Sequence, residues 1–261
     1  MAERDVVLVR GREGLGLEAA RRFAIAATEA TRRSGRFTMA LSGGSTPVDL
    51  YSVLASDAYR SKIGWDSVHV FWGDERCVPP DHAESNYKLA SDTLLKHVTI
   101  PPNQIHRMRG EDPDPEAAAI EYEQLLRAEF QLSPGEWPRF DLILLGMGAD
   151  GHTASLFPGS PVLREVKRLV AACEAPSHRQ RRLTLTLPVI NNARTAIVLV
   201  AGKAKEEALR RVLREQNPTD PLPAQLVRPR DGRLIWLIAE ASLQLSAISG
   251  PLKPKSPAAE R

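Results

Sequence analysis

An apolar run that stops in a glycine-rich turn occupies residues 140–160, which read FDLILLGMGADGHTASLFPGS. The unbroken run 142–145 is typical of a strand that is covered on both faces in a parallel sheet. Three glycines then allow the backbone to turn tightly: Gly146, Gly148 and Gly151. Asp150 and His152 therefore fall at the carboxyl end of a strand, the edge where open α/β sheets bind ligands. Because imidazole titrates near neutral pH, His152 is a candidate general base.

The same turn fits the dinucleotide pattern G-x-G-x-x-G over residues 146–151, and Glu174 lies about twenty residues on, where a ribose-binding acid is expected. That fingerprint requires an uninterrupted helix after the glycines to receive the pyrophosphate. Here Pro158, Gly159 and Pro161 interrupt the segment, which disfavours a nicotinamide cofactor. A plain tight turn with a solvated histidine remains open from these residues alone.

Strand and helix patterns alternate along the 261 residues, and no linker, charge block or repeat divides the chain. The pattern predicts a single-domain α/β protein with a mostly parallel, Rossmann-like sheet sandwiched by helices. We expect this domain to span residues 1–248 and residues 249–261, rich in Pro and Lys, to form a flexible tail. The predicted strands are 5–9, 37–41, 67–72, 142–145, 169–173, 183–187, 195–200 and 234–238. The predicted helices are 15–33, 48–55, 84–97, 116–130, 206–214 and 240–248.

Composition excludes several classes of protein. The 43% hydrophobic and 26% charged residues are ordinary for a water-soluble globular chain. Neither a signal peptide nor a membrane segment is visible, so a cytoplasmic location is expected. The two cysteines do not suggest a disulfide framework or a zinc site, and no His, Cys or carboxylate cluster has metal-ligand spacing. The net charge is only +3, without a basic patch interleaved with aromatics, so nucleic acid is not an expected partner.

A second strand, 37–41, opens into SGGSTP, and Pro47 suits the first turn of the following helix. Backbone N–H groups and hydroxyls converge in such a loop, which favours a phosphate cradle over a nucleotide site because the lysine of a Walker P-loop is missing. An ordinary βα turn is the alternative. The candidate phosphate-binding residues are Ser42, Gly43, Gly44, Ser45 and Thr46.

Charged residues also lie next to the ends of further predicted strands. Asp74 and Arg76 lie in the sequence GDER after strand 67–72, although these charges could also be merely solvated. An arginine cluster, Arg179, Arg181 and Arg182, precedes another strand. Lys205 lies at a helix N-terminus, where a cation is unfavourable unless an anion is bound. Together these ends predict a site for a small phosphorylated substrate on which a proton or a water is moved.

These motifs resemble those of the 6-phosphogluconolactonase family, relatives of the glucosamine-6-phosphate deaminases and isomerases. The similar blocks are LSGGSTP at 41–47, GDER at 73–76 with DHAESNY at 81–87, DGHTASLFP at 150–158, RLTLTLP at 182–188, GKAK at 202–205 and PLPA at 221–224. They extend over nearly the whole chain, so the resemblance implies the α/β fold of the deaminase and isomerase type.

The resemblance implies hydrolysis of 6-phospho-D-glucono-1,5-lactone to 6-phosphogluconate, the second step of the oxidative pentose phosphate pathway, without metal or cofactor. By motif position His152 would activate water, with Asp150 beside it, while Asp74 and Arg76 would line the sugar. Asp74 is the alternative base. Arg182 and Lys205 would hold the phosphate with the 42–46 loop, and Arg182 is preferred over its neighbours because it directly precedes LTLT. A phosphosugar lactone is the expected partner, and we expect a monomer or a weak homo-oligomer.

Two other functions remain alternatives. The deaminase pattern carries a glutamate shortly after Asp-Gly-His, whereas residues 153–158 read TASLFP and include no acid. A non-catalytic sugar-phosphate sensor would keep the cradle but would need no base, and His152 beside Asp150 argues against it.

Overall fold

The computed structural model describes residues 4–176, 180–214 and 220–240, and the following bounds refer to these ranges. The strands are β1 (Arg4–Val9), β2 (Phe37–Leu41), β3 (Val68–Trp72), β4 (Asp74–Arg76), β5 (Leu142–Gly146), β6 (Val170–Glu174), β7 (Arg181–Leu185), β8 (Thr195–Val200) and β9 (Arg233–Ala239). The α-helices are α1 (Gly11–Ser34), α2 (Pro47–Ala55), α3 (Asp57–Arg60), α4 (Asn86–Thr93), α5 (Pro115–Glu129), α6 (Leu187–Ile190) and α7 (Glu206–Arg214).

Six strands form a parallel sheet in the order β1-β9-β8-β5-β2-β3. The apolar run of β5 lies between β8 and β2, and Leu142, Ile143 and Leu144 are completely buried. A strand that is buried on both faces must be apolar throughout, which explains why the run does not alternate. The predicted α/β class with a mostly parallel, helix-flanked sheet is confirmed.

A second, three-stranded antiparallel sheet in the order β4-β7-β6 is a feature that the sequence did not predict. Asp74 and Arg76 were expected in a loop at a strand end, but they belong to the short strand β4. Arg182, expected to precede a strand, lies within β7 directly opposite Arg76. Helix α5 packs against β6 and β7, so this small sheet shares in the folded core.

The five predicted helices that fall within the described residues lie close to their predicted positions, whereas the short helices α3 and α6 were not predicted. Helix α1 ends where Gly35 adopts a left-handed conformation with φ 73° and donates its N–H to the Thr31 carbonyl at 2.8 Å. The predicted helix 84–97 is shorter, because Ser85 caps it by accepting the Lys88 N–H and the last residues form a separate 3-10 turn, Leu95–His97.

One hydrophobic cluster extends through the described residues. The single domain over residues 1–248 stays a prediction, and the predicted helix 240–248 and tail 249–261 lie outside the described residues except for residue 240. Among the helices that the structure describes, none is both long and apolar enough to cross a membrane.

The strand order determines where a site can form. Strands β8, β5, β2 and β3 are consecutive neighbours and run parallel, so their carboxyl ends meet at one edge of the sheet. The segments that directly follow these strands carry Lys205, His152, the 42–46 loop and Asp74, respectively. The fold therefore collects the predicted motifs along this edge.

Candidate active site

The 42–46 loop is anchored at its first residue and open in its middle. Tyr51 of α2 donates its hydroxyl to the Ser42 carbonyl at 2.7 Å, and the Tyr51 hydroxyl oxygen accepts the Ser42 N–H at 3.2 Å. Gly44 has φ 84°, a left-handed conformation that glycine adopts without strain. Because Gly44 and Ser45 are exposed directly before the α2 N-terminus, the loop can receive an anion.

Lys205 lies beside the far end of this loop. Its Nζ is 3.4 Å from the Thr46 hydroxyl oxygen, and Thr46 itself is buried at the start of α2. Burial, followed by the nearby charge of Arg12, lowers the pKa of Lys205. Arg12 also bonds the Ser45 carbonyl and forms an ion pair with Asp49 at 2.9 Å. Two cations therefore border the predicted phosphate loop, as an anion site requires.

Gly43 is covered by the side chain of Asn86, the first residue of α4. A Cβ built on Gly43 would lie 1.7 Å from the Asn86 Oδ1, so any larger residue here requires the Asn86 side chain to move. The Asn86 amide donates to the Asp74 carbonyl at 2.8 Å and to the Asp74 carboxylate at 3.3 Å. Asn86 thus connects the loop after β2 to strand β4.

Asp74 is a buried carboxylate that joins two of the predicted motifs. Only 8% of the residue is exposed, and its Oδ2 accepts a hydrogen bond from the Ser155 hydroxyl at 2.7 Å. Ser155 belongs to the turn that carries His152, and its N–H also reaches the Thr184 hydroxyl of β7 at 3.3 Å. Asp74 therefore holds the histidine turn, Asn86 and the small sheet together.

The neighbouring carboxylate, Glu75, organises the start of α4. It accepts the N–H groups of Asn86 at 2.7 Å and Tyr87 at 2.8 Å, together with the Ser85 hydroxyl at 3.1 Å. Burial raises the pKa of Glu75, and these N–H donors work against that rise. A buried carboxylate with this many donors fixes the position of Asn86.

Arg182 and Arg76 bring two guanidinium groups to the same place. They face each other across the β4–β7 pairing, and the Arg182 Nη1 is buried without a hydrogen-bond partner. Burial, and then the charge of Arg76, lowers the pKa of Arg182. Arg181 is exposed, and Arg179 lies outside the described residues. Of the two described candidates, Arg182 is therefore the one with an unmet donor for an anion.

His152 and Asp150 form a close pair at the end of β5. The His152 Nδ1 is 2.6 Å from the Asp150 Oδ1, and the same oxygen accepts the His152 backbone N–H at 3.1 Å. Partial burial opposes ionisation of Asp150, but the hydrogen bond and the charge of His152 lower its pKa overall. An ionised Asp150 accepts the Nδ1 proton, which leaves Nε2 as the basic nitrogen.

The glycines around this pair are required by space. A Cβ on Gly148 would lie 2.2 Å from the imidazole of His152, so only glycine lets the ring lie against this backbone. Gly151 has φ 80° and packs on Leu222, and its carbonyl accepts the Ala224 N–H at 3.0 Å. The ring also contacts Phe157, with centroids 4.9 Å apart. The imidazole is thus positioned on several sides.

Comparison with known proteins agrees with this geometry. A family model described as glucosamine-6-phosphate isomerases/6-phosphogluconolactonase matches residues 11–236. The chain belongs to this family. A 6-phosphogluconolactonase from Synechocystis is 45% identical over 211 residues, 81% of this chain and 85% of that protein. Its human counterpart is 41% identical over 218 residues, 82% of each chain.

Solved structures of the family have the same fold. A 6-phosphogluconolactonase from Trypanosoma cruzi superposes with a TM-score of 0.81 at 30% identity, covering 93% of this chain and 97% of that one. A monomeric glucosamine-6-phosphate deaminase has a TM-score of 0.76 at 23% identity, which shows the fold alone. The family predicted from the motifs is confirmed.

Sequence reasoning did not assign a role to Asn86, Glu75 or Ser155, although all three lie inside motifs typical of the family. Their side chains act on other parts of the protein, and a linear pattern does not show which ones. Arg12 was missed for a different reason. It is an arginine near the start of a long amphipathic helix, and nothing local distinguishes it from a solvated one.

Replacing Gly43 with alanine should weaken 6-phosphogluconate binding at least tenfold and lower the free energy of unfolding by about 1–3 kcal/mol, the usual result of overpacking. The added methyl must displace Asn86, which changes the loop and the α4 N-terminus together. Calorimetry and urea unfolding measure the two quantities. Gly146→Ala is the matched control, because a Cβ there meets no atom within 4 Å. An affinity within twofold of wild type in Gly43→Ala would show that Asn86 moves away freely.

Proposed function

We propose that this protein hydrolyses 6-phospho-D-glucono-1,5-lactone to 6-phosphogluconate, with His152 as the base that activates water. The observation that carries the proposal is the 2.6 Å contact between the His152 Nδ1 and Asp150, at the same sheet edge as an anion cradle. The relatives from Synechocystis, human and Trypanosoma cruzi are all named 6-phosphogluconolactonase, which supports the choice of substrate.

The arrangement suits ester hydrolysis in the following way. The His152 Nε2 takes a proton from water while the water oxygen attacks the lactone carbonyl carbon, which gives a tetrahedral oxyanion. As the oxyanion collapses, the bond between the carbonyl carbon and the ring oxygen breaks. The imidazolium returns its proton to that oxygen, which becomes the C5 hydroxyl. The resulting carboxylic acid ionises, and Asp150 stabilises the imidazolium between the two steps.

The phosphate is the second part of the proposal. We assign its recognition to the 42–46 loop together with Arg182 and Lys205, and we place Arg76 and Asp74 beside the sugar. The unmet Nη1 of Arg182 and the Lys205 ammonium near Thr46 support this assignment. Asp74, whose carboxylate already bonds Ser155 and Asn86, contributes in this proposal mainly by holding the wall of the site.

Deamination of an amino-sugar phosphate is less well supported. That chemistry needs a further carboxylate near the histidine, and residues 153–158 contain none. The side chain from this turn that packs on the imidazole is Phe157, which is apolar. A protein that only senses sugar phosphates would not require the Asp150–His152 pair.

A turnover assay separates these functions. The purified chain should open the phosphorylated lactone faster than the spontaneous reaction, and it should release no ammonia from glucosamine 6-phosphate. Product is followed by coupling to 6-phosphogluconate oxidation. If the lactone opens only at its spontaneous rate, the hydrolase proposal fails, and ammonia release would establish the deaminase instead.

Lowering the pH from about 8 to about 5 should reduce kcat, because a protonated imidazole has no lone pair with which to accept a proton from water. Asp150 is not the cause of the loss, since its lowered pKa keeps it ionised over this range. The measurement is kcat at saturating lactone in overlapping buffers, with the spontaneous rate subtracted at each pH. A profile that stays flat to pH 5 would exclude an imidazole base.

A further inference from the structure

Three side chains with metal-ligand atoms meet at the end of β3 opposite to the candidate active site. His69 is the second residue of β3, His106 follows the 3-10 turn Pro102–Gln104, and Glu129 is the last residue of α5. One ligand atom from each lies within 4.8 Å of the other two. From His69 to Gly73, where the chain leaves the sheet toward the active site, the strand covers about 13 Å.

The distances between the three groups are close to those of a zinc site. The Glu129 Oε2 is 3.7 Å from the His69 Nδ1 and 3.6 Å from the His106 Nε2. Bonds of about 2.0–2.1 Å in a tetrahedral arrangement place neighbouring ligand atoms roughly 3.3 Å apart. A contraction of a few tenths of an ångström at each carboxylate contact therefore brings Glu129 and either imidazole onto one ion.

His106 is rigidly positioned for such a role. Only 7% of the residue is exposed. Its backbone N–H donates to the Val70 carbonyl at 2.8 Å, and its backbone carbonyl accepts the Tyr122 hydroxyl at 3.0 Å. The imidazole stacks on Phe71 with centroids 4.5 Å apart, and on His69 at 5.8 Å with the two rings nearly parallel. The ring is therefore packed against two other rings, and its Nε2 lies 3.6 Å from the Glu129 Oε2.

Both imidazoles present a nitrogen that the protein leaves unsatisfied. The His69 Nδ1 and the His106 Nε2 are buried and have no hydrogen-bond partner, because their contacts with Glu129 are too long. Buried polar atoms without a partner are rare and call for an explanation. Burial is the main cause that lowers the pKa of both histidines, which favours the neutral form of each ring. Neutral imidazole is the form that binds metals.

We propose that His69, His106 and Glu129 bind one divalent ion of the zinc class, with water as the remaining ligand. Two imidazoles and one carboxylate are a zinc donor set, whereas magnesium and calcium take oxygen ligands. The ion ties β3 to the end of α5. It stabilises the fold and takes no part in turnover.

Arg36 is a nearby cation that disfavours metal binding at this site. Its guanidinium donates to the Glu129 carbonyl at 3.1 Å and lowers the pKa of both histidines after the larger effect of burial on each. This positive charge opposes a bound cation, so the site should bind zinc more weakly than the same three ligands would without the arginine. The sequence-based expectation of no metal did not anticipate this site, because its ligands lie on three separate elements.

Cobalt(II), whose tetrahedral complexes absorb visible light, is the probe for the test. Titration of the metal-free full chain should give tetrahedral absorption that saturates at one ion per chain and is displaced by Zn²⁺. The His106→Gln and Glu129→Gln variants should lose this absorption and bind at least thirtyfold more weakly. His97→Gln, which changes a histidine elsewhere on the surface, should match wild type.

His152→Ala identifies the alternative site, because Asp150 and His152 could also hold an ion. The proposal requires the His152→Ala protein to keep the cobalt absorption. If that variant loses it while His106→Gln and Glu129→Gln keep it, the ion binds in the active site and the proposal is overturned. Absence of any tetrahedral absorption in wild type overturns it as well. Zn²⁺ at a hundredfold excess over Kd should raise Tm by about 5–10 °C in wild type but not in Glu129→Gln.

Discussion

Replacing His152 with alanine is expected to lower kcat by about 10²–10⁴-fold and to leave 6-phosphogluconate affinity nearly unchanged. General base catalysis typically contributes this factor, and the imidazole has no assigned contact with the phosphate. A lactone carbonyl is already electrophilic, so the principal task of the enzyme is to produce a better nucleophile than water and to hold it near the carbonyl carbon. Stopped-flow rates and calorimetric binding of the product measure the two quantities.

The spontaneous rate of lactone opening must be subtracted from every measured rate, because it limits the smallest enzymatic rate that can be detected. Circular dichroism establishes that the variant is folded, and His82→Ala serves as a control for loss of an exposed histidine. If His152→Ala retains more than a third of the wild-type kcat, another group is the base. Asp74 is the next candidate, although its carboxylate is buried and already accepts two side-chain hydrogen bonds.

Asp150→Asn tests how the imidazole is held. The amide oxygen can still accept the Nδ1 proton, but it no longer offers a full negative charge to the imidazolium that forms when water is deprotonated. We expect kcat to fall less than in His152→Ala, with the same product affinity. An equal fall in both variants would indicate that the orientation of the ring depends wholly on the carboxylate charge.

The sequence was sufficient for the parallel sheet because its central strands are marked by composition. Strands β2 and β5 are almost entirely apolar, and each is followed closely by glycines in a loop of the candidate site. An apolar run of strand length followed by a turn predicts where the strand lies and, at its carboxyl end, where a ligand site can form. For this reason the 42–46 loop, His152 and Lys205 were all placed at the correct sheet edge from sequence alone.

The small antiparallel sheet could not be predicted in the same way. Strand β4 is only three residues long and consists of Asp74, Glu75 and Arg76, and both acids have low strand preference. It exists because β7 pairs with it and because Ser155 and α4 satisfy its carboxylates. Tertiary contacts override the low strand preference of these residues. They also bury Glu75, which looks like a solvated charge in the sequence, and its carboxylate accepts the N–H groups at the start of α4.

Arg182→Met is expected to weaken 6-phosphogluconate binding by about 1.5–3 kcal/mol, the range for hydrogen bonds to charged groups, while the unfolding free energy of the unliganded protein is unchanged or higher. The reason is that the guanidinium is partly buried and its Nη1 has no hydrogen-bond partner. Burial, and then the charge of Arg76, lowers its pKa. Methionine has similar length and removes the buried charge, so folding loses little while the phosphate loses a partner.

Lys205→Met should behave in the same direction, since burial also lowers the pKa of that ammonium in the absence of ligand. Comparing the phosphorylated with the unphosphorylated lactone isolates the phosphate: each substitution should lower kcat/KM about 10–150-fold for the first substrate and less than threefold for the second. Arg181→Met, which removes an exposed arginine from the same strand, is the matched control. If both lactones lose activity equally in Arg182→Met, the arginine acts on the sugar or on the fold, and the phosphate must be held by the 42–46 loop and Lys205 without it.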